Sequence, residues 1–204
     1  MGFQMIGIID YGGGNLRSVY NAFRYIGRDV RICETPEDLD RVDKIVLPGV
    51  GSSKDAMTAL ESGGYREKIM SDIGSGKPFL GICLGLQLLF SRSDEAGGCD
   101  CLDLVPGEVK AFSGDGLKVP QIGWNTVRSV SRGCPLFRGI PDGEYFYFVH
   151  SYYCAYTGEY TTGVTDYGVE YTSALWKENV LAVQFHPERS QGNGMKLLEN
   201  FSLL

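Results

Sequence analysis

The stretch Phe79-Leu80-Gly81-Ile82-Cys83-Leu84-Gly85-Leu86-Gln87 sets the expected fold of this chain. An apolar run ends in Gly-x-Cys-x-Gly, and a helical pattern begins at once, which predicts a strand, a sharp turn and a helix. The thiol of Cys83 would then lie at the turn. Glycine on both sides of Cys83 permits a close-packed turn that a Cβ atom would obstruct.

The predicted position of Cys83 suits a nucleophile. Hydrolases place serine in the same layout, and the unpaired amides and dipole at a helix N-terminus favour a thiolate over a thiol. A free cysteine has a pKa of about 8.5, so only a few per cent is nucleophilic at neutral pH. The alternative is a small core residue, which is what most free cysteines are. This stretch alone leaves both interpretations open.

Length and composition predict one well-buried domain over residues 1–204. The formal net charge of −6 argues against a nucleic-acid or anionic-membrane partner. No apolar run approaches the roughly 20 residues of a membrane span. The first ten residues lack a basic segment before their apolar run, so we expect no signal peptide and a cytoplasmic location.

Six cysteines are present, at positions 33, 83, 99, 101, 134 and 154. The ordinary composition and the expected cytoplasmic location predict free thiols rather than a disulfide framework. Cys99 and Cys101 form a C-x-C pair with no second pair and no nearby histidine, which favours a solvated loop over a zinc site. We therefore expect neither a metal nor a cofactor.

The order of segments predicts an α/β fold. Strands are expected at residues 5–9, 30–32, 45–47 and 79–82, alternating with helices at 16–26, 53–60 and 65–75. Beyond a polar surface loop at 91–102, strands at 108–112, 145–150, 171–176 and 180–185 precede a helix at 194–203. This pattern predicts a central, mostly parallel sheet flanked by helices, with antiparallel strands added in the C-terminal half. Active sites of such folds lie at the carboxyl ends of the strands.

A thiol nucleophile needs a base and an orienting group. The chain has only two histidines. His186 directly follows a predicted strand, and Glu188 lies just beyond Pro187, so that its carboxylate can hold the other ring N–H. This arrangement predicts a Cys83–His186–Glu188 set. His150 follows an aromatic run, where a hydrogen-bonded structural histidine is at least as good an interpretation as a catalytic one.

The segment Leu47-Pro48-Gly49-Val50-Gly51 ends another strand of the predicted sheet. Acyl transfer requires N–H donors for the developing oxyanion. The amide of Leu84 is one candidate, and the Gly-Val-Gly segment can bring a second amide close to a substrate. A plain strand-to-helix turn is the alternative.

Residues 81–87, together with His186-Pro187-Glu188, resemble the triad (class I) glutamine amidotransferases. The likeness extends over the chain through Asp10-Tyr11-Gly12-Gly13-Gly14-Asn15, Gly123-Trp124-Asn125 and the stretch 147–152. It is greatest for the branch of the family that supplies ammonia in histidine biosynthesis. The resemblance implies a flavodoxin-like fold, no cofactor, and hydrolysis of L-glutamine to glutamate and ammonia through a cysteine thioester.

The resemblance also implies roles for individual residues. Cys83 would attack the carboxamide, His186 would shuttle the proton and Glu188 would orient the imidazole. The remaining implied sites are oxyanion-hole amides at Val50, Gly51 and Leu84, glutamine contacts at Gln87 and Ser151, and a partner interface or gate including Arg17, Trp124, Asn125 and Tyr147.

The implied partner is a (βα)₈-barrel cyclase subunit, bound as a heterodimer, which would receive the ammonia. Other acceptors within the same chemistry are a surface-sugar amidotransferase and a pyridoxal phosphate synthase. A cysteine peptidase and an inactive binding scaffold are alternatives from other classes. Gln87, the oxyanion segment and the long C-terminal half argue against the peptidase, and the complete Cys83–His186–Glu188 set argues against the scaffold.

Overall fold

The computed structural model describes residues 4–114, 116–131, 133–155 and 157–204. Its parallel half is built from five strands: β1 (Ile6–Ile9), β2 (Val30–Cys33), β3 (Lys44–Gly49), β4 (Phe79–Cys83) and β13 (Val180–Val183). They lie in the order β2-β1-β3-β4-β13. Nearly every residue in these strands is buried, as expected where helices cover both faces of a parallel sheet.

Helices cover this half of the sheet from both sides. They are α1 (Leu16–Tyr25), α2 (Ser53–Ser62), α3 (Tyr65–Gly74), α4 (Leu84–Gln87) and α5 (Gln191–Ser202). Successive side chains of a strand point to opposite faces, so Ile8 and Ile9 join different apolar clusters. The cluster with Ile9 includes residues of α2 and α3, and the cluster with Ile8 includes residues of α1 and α5.

The antiparallel half continues the same sheet. Its strands are β5 (Phe90–Ser93), β6 (Cys99–Asp100), β7 (Val105–Ala111), β8 (Gln121–Ser129), β9 (Glu144–His150), β10 (Tyr152–Cys154), β11 (Thr161–Asp166) and β12 (Glu170–Lys177). The hairpin of β12 and β13 joins the two halves, and β10, β7, β5 and β6 follow in order. The β8–β9 ribbon is attached through β11. The predicted α/β architecture, with antiparallel strands added in the C-terminal half, is confirmed.

One local prediction is wrong, and the helix predicted after Cys83 is present only as a single turn. Residues 91–102 are not a surface loop, because Arg92 and Ser93 pair with the 99–100 strand and Cys101 is 1% exposed. The helix after Cys83 is only four residues long. The chain then turns into β5, where Phe90 pairs with Val105. In both places tertiary pairing outweighs the local sequence pattern.

Two features are absent from the described part of the chain. None of the helices there is long and apolar enough to cross a membrane. No group of three or more histidine, cysteine and acidic side chains among these residues is arranged to hold a metal ion. Each of the six cysteines is a free thiol.

Candidate active site

The turn at Cys83 forms a sharp elbow between β4 and α4. Cys83 has φ +56° and ψ −107°, a conformation that a non-glycine residue adopts only under strain and that is common at functional sites. The flanking glycines allow close packing: a Cβ on Gly81 would lie 2.6 Å from the carbonyl oxygen of Gly85. A Cβ on Gly85 would lie 2.0 Å from the carbonyl oxygen of Leu47. The strand–turn prediction for this stretch is confirmed.

The shortness of α4 changes the expected electrostatics at the sulfur. Its four residues align few peptide dipoles, so the helix dipole is weaker than that of a full helix. Side chains must therefore provide more of the stabilisation of a thiolate. The contacts of Cys83 Sγ with described residues include Gln184 Nε2 at 3.7 Å, the Val149 carbonyl oxygen at 3.9 Å, and His186.

His186 lies between Cys83 and Glu188. Its Nδ1 is 2.9 Å from Glu188 Oε1, and the two side chains are 8% and 1% exposed. Burial lowers the pKa of His186, but the hydrogen bonds and charges of Cys83 and Glu188 outweigh burial and raise it to about 10. These two partners therefore favour the imidazolium form of His186. The three predicted residues are brought together: Glu188 is hydrogen-bonded to His186, and His186 and Cys83 line the same cleft.

The backbone of β9 fixes the position of His186. The His186 N–H donates to the Tyr147 carbonyl at 2.9 Å, and the Ser190 hydroxyl donates to the His186 carbonyl at 2.7 Å. Ser190 Oγ in turn accepts from the Tyr147 N–H at 3.0 Å. The backbone of His186 is therefore anchored to β9, the strand that forms a two-stranded ribbon with β8.

A cleft of about 350 Å³ opens at Cys83. The side chains and backbone that line it are those of Asn15, Val50, Gly51, Cys83, Leu84, Gln87, Glu95, Pro120, Val149, His150, Ser151, Tyr152, His186 and Arg189. The predicted oxyanion and glutamine-binding positions therefore converge on the predicted nucleophile. A larger cavity of about 510 Å³ lies between β8 and residues 133–142, and the described residues that line it include no histidine.

The segment predicted to form the oxyanion hole is closely packed at Gly49 and exposed at Val50. Gly49 is opposite Cys83 in the β3–β4 register, and a Cβ there would lie 2.6 Å from the Tyr11 hydroxyl and 2.8 Å from Leu84 Cβ. Gly51 has φ +95°, and Val50 is 49% exposed. Only glycine fits such close contact at position 49 and such a backbone at position 51.

The residues predicted for the interface or gate lie outside the lining of the cleft. Trp124 is 45% exposed and packs edge-to-face on Tyr147, its cross-strand partner, with ring centroids 6.0 Å apart. The Asn125 side chain donates to the Asp166 carbonyl at 2.8 Å. Arg17 is exposed on α1. The structure therefore places them at the surface and leaves their role a prediction.

Glu95 and Gln184 are among the site residues that are absent from the sequence-based predictions. Glu95 lines the cleft, and its Oε2 accepts from the Ser53 N–H at 2.6 Å and the Ser53 hydroxyl at 3.0 Å. It lies in the stretch that was predicted to be a polar loop, where nothing marks one carboxylate above another. Gln184 could have been found from the sequence, because an amide inside the apolar run of a buried strand must be hydrogen-bonded.

The contacts of His150 are those of a structural histidine. Its Nδ1 is 2.7 Å from the Tyr152 carbonyl, which requires the proton on that nitrogen, and its Nε2 is 3.2 Å from the Tyr171 hydroxyl. The ring packs against Phe112 and Phe148. Burial is the main reason that the pKa of His150 falls to about 4, with a smaller contribution from the nearby His186.

The lowered pKa of His150 predicts a loss of stability in acid. The unfolded chain takes up this proton below about pH 6.5, whereas the folded chain takes it up only near pH 4. We expect His150→Gln to abolish a pH-dependent loss of about 3 kcal/mol between those values, seen in urea unfolding. Equal slopes of unfolding free energy against pH in both proteins would contradict this assignment.

A model of the family described as glutamine amidotransferase class-I matches residues 7–203. The chain belongs to the class-I glutamine amidotransferase family. The family predicted from the sequence is confirmed. Members of this family include relatives that match the chain over nearly all of its length.

Two such relatives are named imidazole glycerol phosphate synthase subunit HisH. The one from Syntrophotalea carbinolica is 48% identical and covers 97% of this chain and 98% of its own. The one from Methanothermobacter thermautotrophicus is 51% identical and covers 97% of each. The chain is therefore a glutamine amidotransferase.

Solved structures share the fold at lower identity. The structure titled PurLQS from Thermotoga maritima superposes with a TM-score of 0.78 at 19% identity, covering 98% of each chain. The Trypanosoma brucei CTPS glutaminase domain with bound acivicin gives 0.67 at 15% identity, covering 98% of this chain and 94% of that one. At these identities the likeness concerns the fold alone.

Proposed function

We propose that this chain is the glutaminase subunit of imidazole glycerol phosphate synthase, which hydrolyses L-glutamine and passes ammonia to a cyclase subunit. The observation that carries the proposal is that Cys83 and His186 line one cleft, with Glu188 hydrogen-bonded to the imidazole. The full-length relatives of that name support the choice of pathway. We also propose that residues 1–204 act as one domain, because each apolar cluster draws residues from both halves of the sequence.

The proposed reaction uses the Cys83 and His186 pair as it lies in the structure. The Cys83 thiolate attacks the carboxamide carbon, and the amides near Leu84 and Gly51 receive the developing oxyanion. His186 gives its proton to the leaving nitrogen, so ammonia departs and a glutamyl thioester remains. His186 then accepts a proton from water, whose oxygen adds to the thioester carbon; the C–S bond breaks, which releases glutamate and restores the thiolate and the imidazolium. Glu188 holds the ring throughout.

The cleft suits the free amino acid glutamine. Glu95 and Arg189 line it with opposite charges, which matches the ammonium and carboxylate groups of a zwitterion. The Gln87 Nε2 group donates to the Tyr152 carbonyl at 2.9 Å and to Gln184 Oε1 at 3.1 Å, so both of its protons are used. Gln87 therefore meets a substrate through its oxygen, as an acceptor. We place Ser151, at the rim, as a second substrate contact.

The proposed partner surface is the exposed face of the β8–β9 ribbon. Ile122, Trp124 and Tyr145 are 59%, 45% and 57% exposed, and the alternation of strand residues places them on one face with Tyr147. Large exposed apolar patches mark interaction sites. We propose that the cyclase binds here, with Arg17 and Asn125 at the edge of the contact.

The test is glutamate release by the chain with and without a (βα)₈-barrel cyclase and the ligand of that cyclase. We expect slow hydrolysis by the chain alone and an acceleration of about tenfold or more in the complex. The cyclase supplied with ammonium salt should work without this chain. Acceleration by a sugar amidotransferase and none by the cyclase would instead identify a different ammonia acceptor.

Replacing Glu188 with glutamine tests the orienting role. The amide keeps the shape, but it removes the charge that favours the imidazolium and no longer selects the Nδ1–H tautomer. We expect glutamine hydrolysis to fall by roughly 10²- to 10⁴-fold. Glu199→Gln, which changes an exposed carboxylate paired with Lys196, should match the unmodified chain. Activity of Glu188→Gln within twofold of that control would exclude the role.

A further inference from the structure

We infer that Gln184 is a positioning residue, whose side-chain N–H holds the Cys83 sulfur as an acceptor and favours its thiolate. The inference rests on the proposed function, because it assumes that Cys83 is the nucleophile. Gln184 has no exposed surface, and its Nε2 is 3.7 Å from Cys83 Sγ. It thus contacts the sulfur rather than lining the cleft.

The strand geometry explains why this amide can act so close to the nucleophile. Gln184 follows β13, the strand beside β4, and its backbone N–H donates to the Ser173 carbonyl at 2.9 Å. It lies between Val183 and Phe185, which are both fully buried. A buried amide without partners would cost free energy, so the contacts of its side chain determine its orientation.

A chain of contacts fixes which end of the Gln184 amide faces the sulfur. The Tyr152 carbonyl can only accept, so the Gln87 atom 2.9 Å from it must be the NH₂ group. That same NH₂ lies 3.1 Å from the Gln184 side chain, and only an oxygen can accept there. The opposite end of the Gln184 amide, the NH₂ group, must therefore face Cys83.

The polar neighbours of Sγ favour different states of the thiol. The Val149 carbonyl can accept from an S–H but offers nothing to a thiolate. The Gln184 N–H is a donor, and a hydrogen bond to a charged acceptor is stronger than one to a neutral acceptor. Because α4 is one turn long, this donor acts where the helix dipole is weak. Gln184 thus adds to His186 in favour of the thiolate.

The experiment follows alkylation of Cys83 by iodoacetamide against pH, without glutamine, with the modified peptide identified by mass spectrometry. Gln184→Met keeps the volume and removes the donor. We expect the pH of half-maximal alkylation to rise by about one unit, because the loss of a hydrogen bond to a charged group changes the pKa of that group by about this much. We also expect kcat for glutamine hydrolysis to fall about tenfold with little change in KM.

Two further variants keep the test decisive. Gln184→Asn retains a buried amide but withdraws it by one methylene, and should show the same upward shift if Gln184→Met fails to fold. Thr172→Val removes a buried hydroxyl that is 2.7 Å from Thr161 in the antiparallel half of the sheet, and should match the unmodified chain. A pH profile unchanged in both Gln184 variants would overturn the inference while leaving Cys83 as nucleophile. Full hydrolysis by Cys83→Ala would overturn the proposed function and the inference together.

Discussion

Cys83→Ala is expected to lose glutamine hydrolysis by roughly three orders of magnitude or more, because no other group can form the thioester. The cyclase complexed with this variant should retain its activity with ammonium salt, since the chemistry of the acceptor does not involve the thiol. Glutamate release and ammonium-dependent turnover, measured on the same complex, separate the two effects. The alanine side chain is smaller than cysteine, so we expect the fold to be kept.

Cys99→Ala is the matched control for this experiment. Cys99 is half-buried in β6 and does not line the cleft, so its replacement should leave both activities unchanged. Glutamine hydrolysis that persisted in Cys83→Ala at the level of the Cys99→Ala control would show that the nucleophile had been wrongly assigned. Because the cyclase supplied with ammonium salt should work without this chain, loss of the ammonium-dependent activity as well would mean that the cyclase itself was inactive.

Gly85→Ala should be among the most disruptive substitutions to the fold. The new Cβ would lie 2.0 Å from the carbonyl oxygen of Leu47, a backbone atom in the centre of the sheet that cannot move aside cheaply. We expect the free energy of unfolding to fall by about 3 kcal/mol or more. Hydrolysis should fall as well, because the elbow that presents Cys83 must open. Urea unfolding gives the first quantity and glutamate release the second.

Gly74→Ala provides the comparison. It ends α3, and nothing lies within 4 Å of the position of its Cβ, so alanine there should leave stability equal or slightly raised. If Gly85→Ala proved as stable as Gly74→Ala, the close contact between the elbow and β3 could not be what fixes the turn.

Much of the site could be predicted because its residues lie at or near the ends of buried strands. Cys83 is the last residue of β4 and His186 lies three residues beyond the end of β13, and the carboxyl ends of such parallel strands meet at one edge. Glu188 is confined by Pro187 to the neighbourhood of the imidazole. The fold and the family are confirmed, whereas the catalytic roles stay predictions until the substitutions are measured.

The end of α4 could not be predicted from local pattern. Leu88, Leu89 and Phe90 are all fully buried and suit either a longer helix or a strand. The outcome depends on distant residues: the Leu88 carbonyl accepts from the Leu102 N–H at 2.9 Å, and the Leu89 carbonyl accepts from the Leu104 N–H at 2.9 Å. The same pairing brings the 91–102 region onto the core and Glu95 to the cleft.

The position of β4 has a consequence for how the enzyme loses activity on heating. It lies between β3 and β13 in the middle of the sheet, and these three strands carry the oxyanion segment, the nucleophile and the base. Central strands of this kind open only when the whole molecule unfolds, not by fraying at an edge. Backbone amides at Leu80 and Ile82 should exchange with solvent deuterium at the slowest, global rate, and thermal inactivation should coincide with melting of the fold.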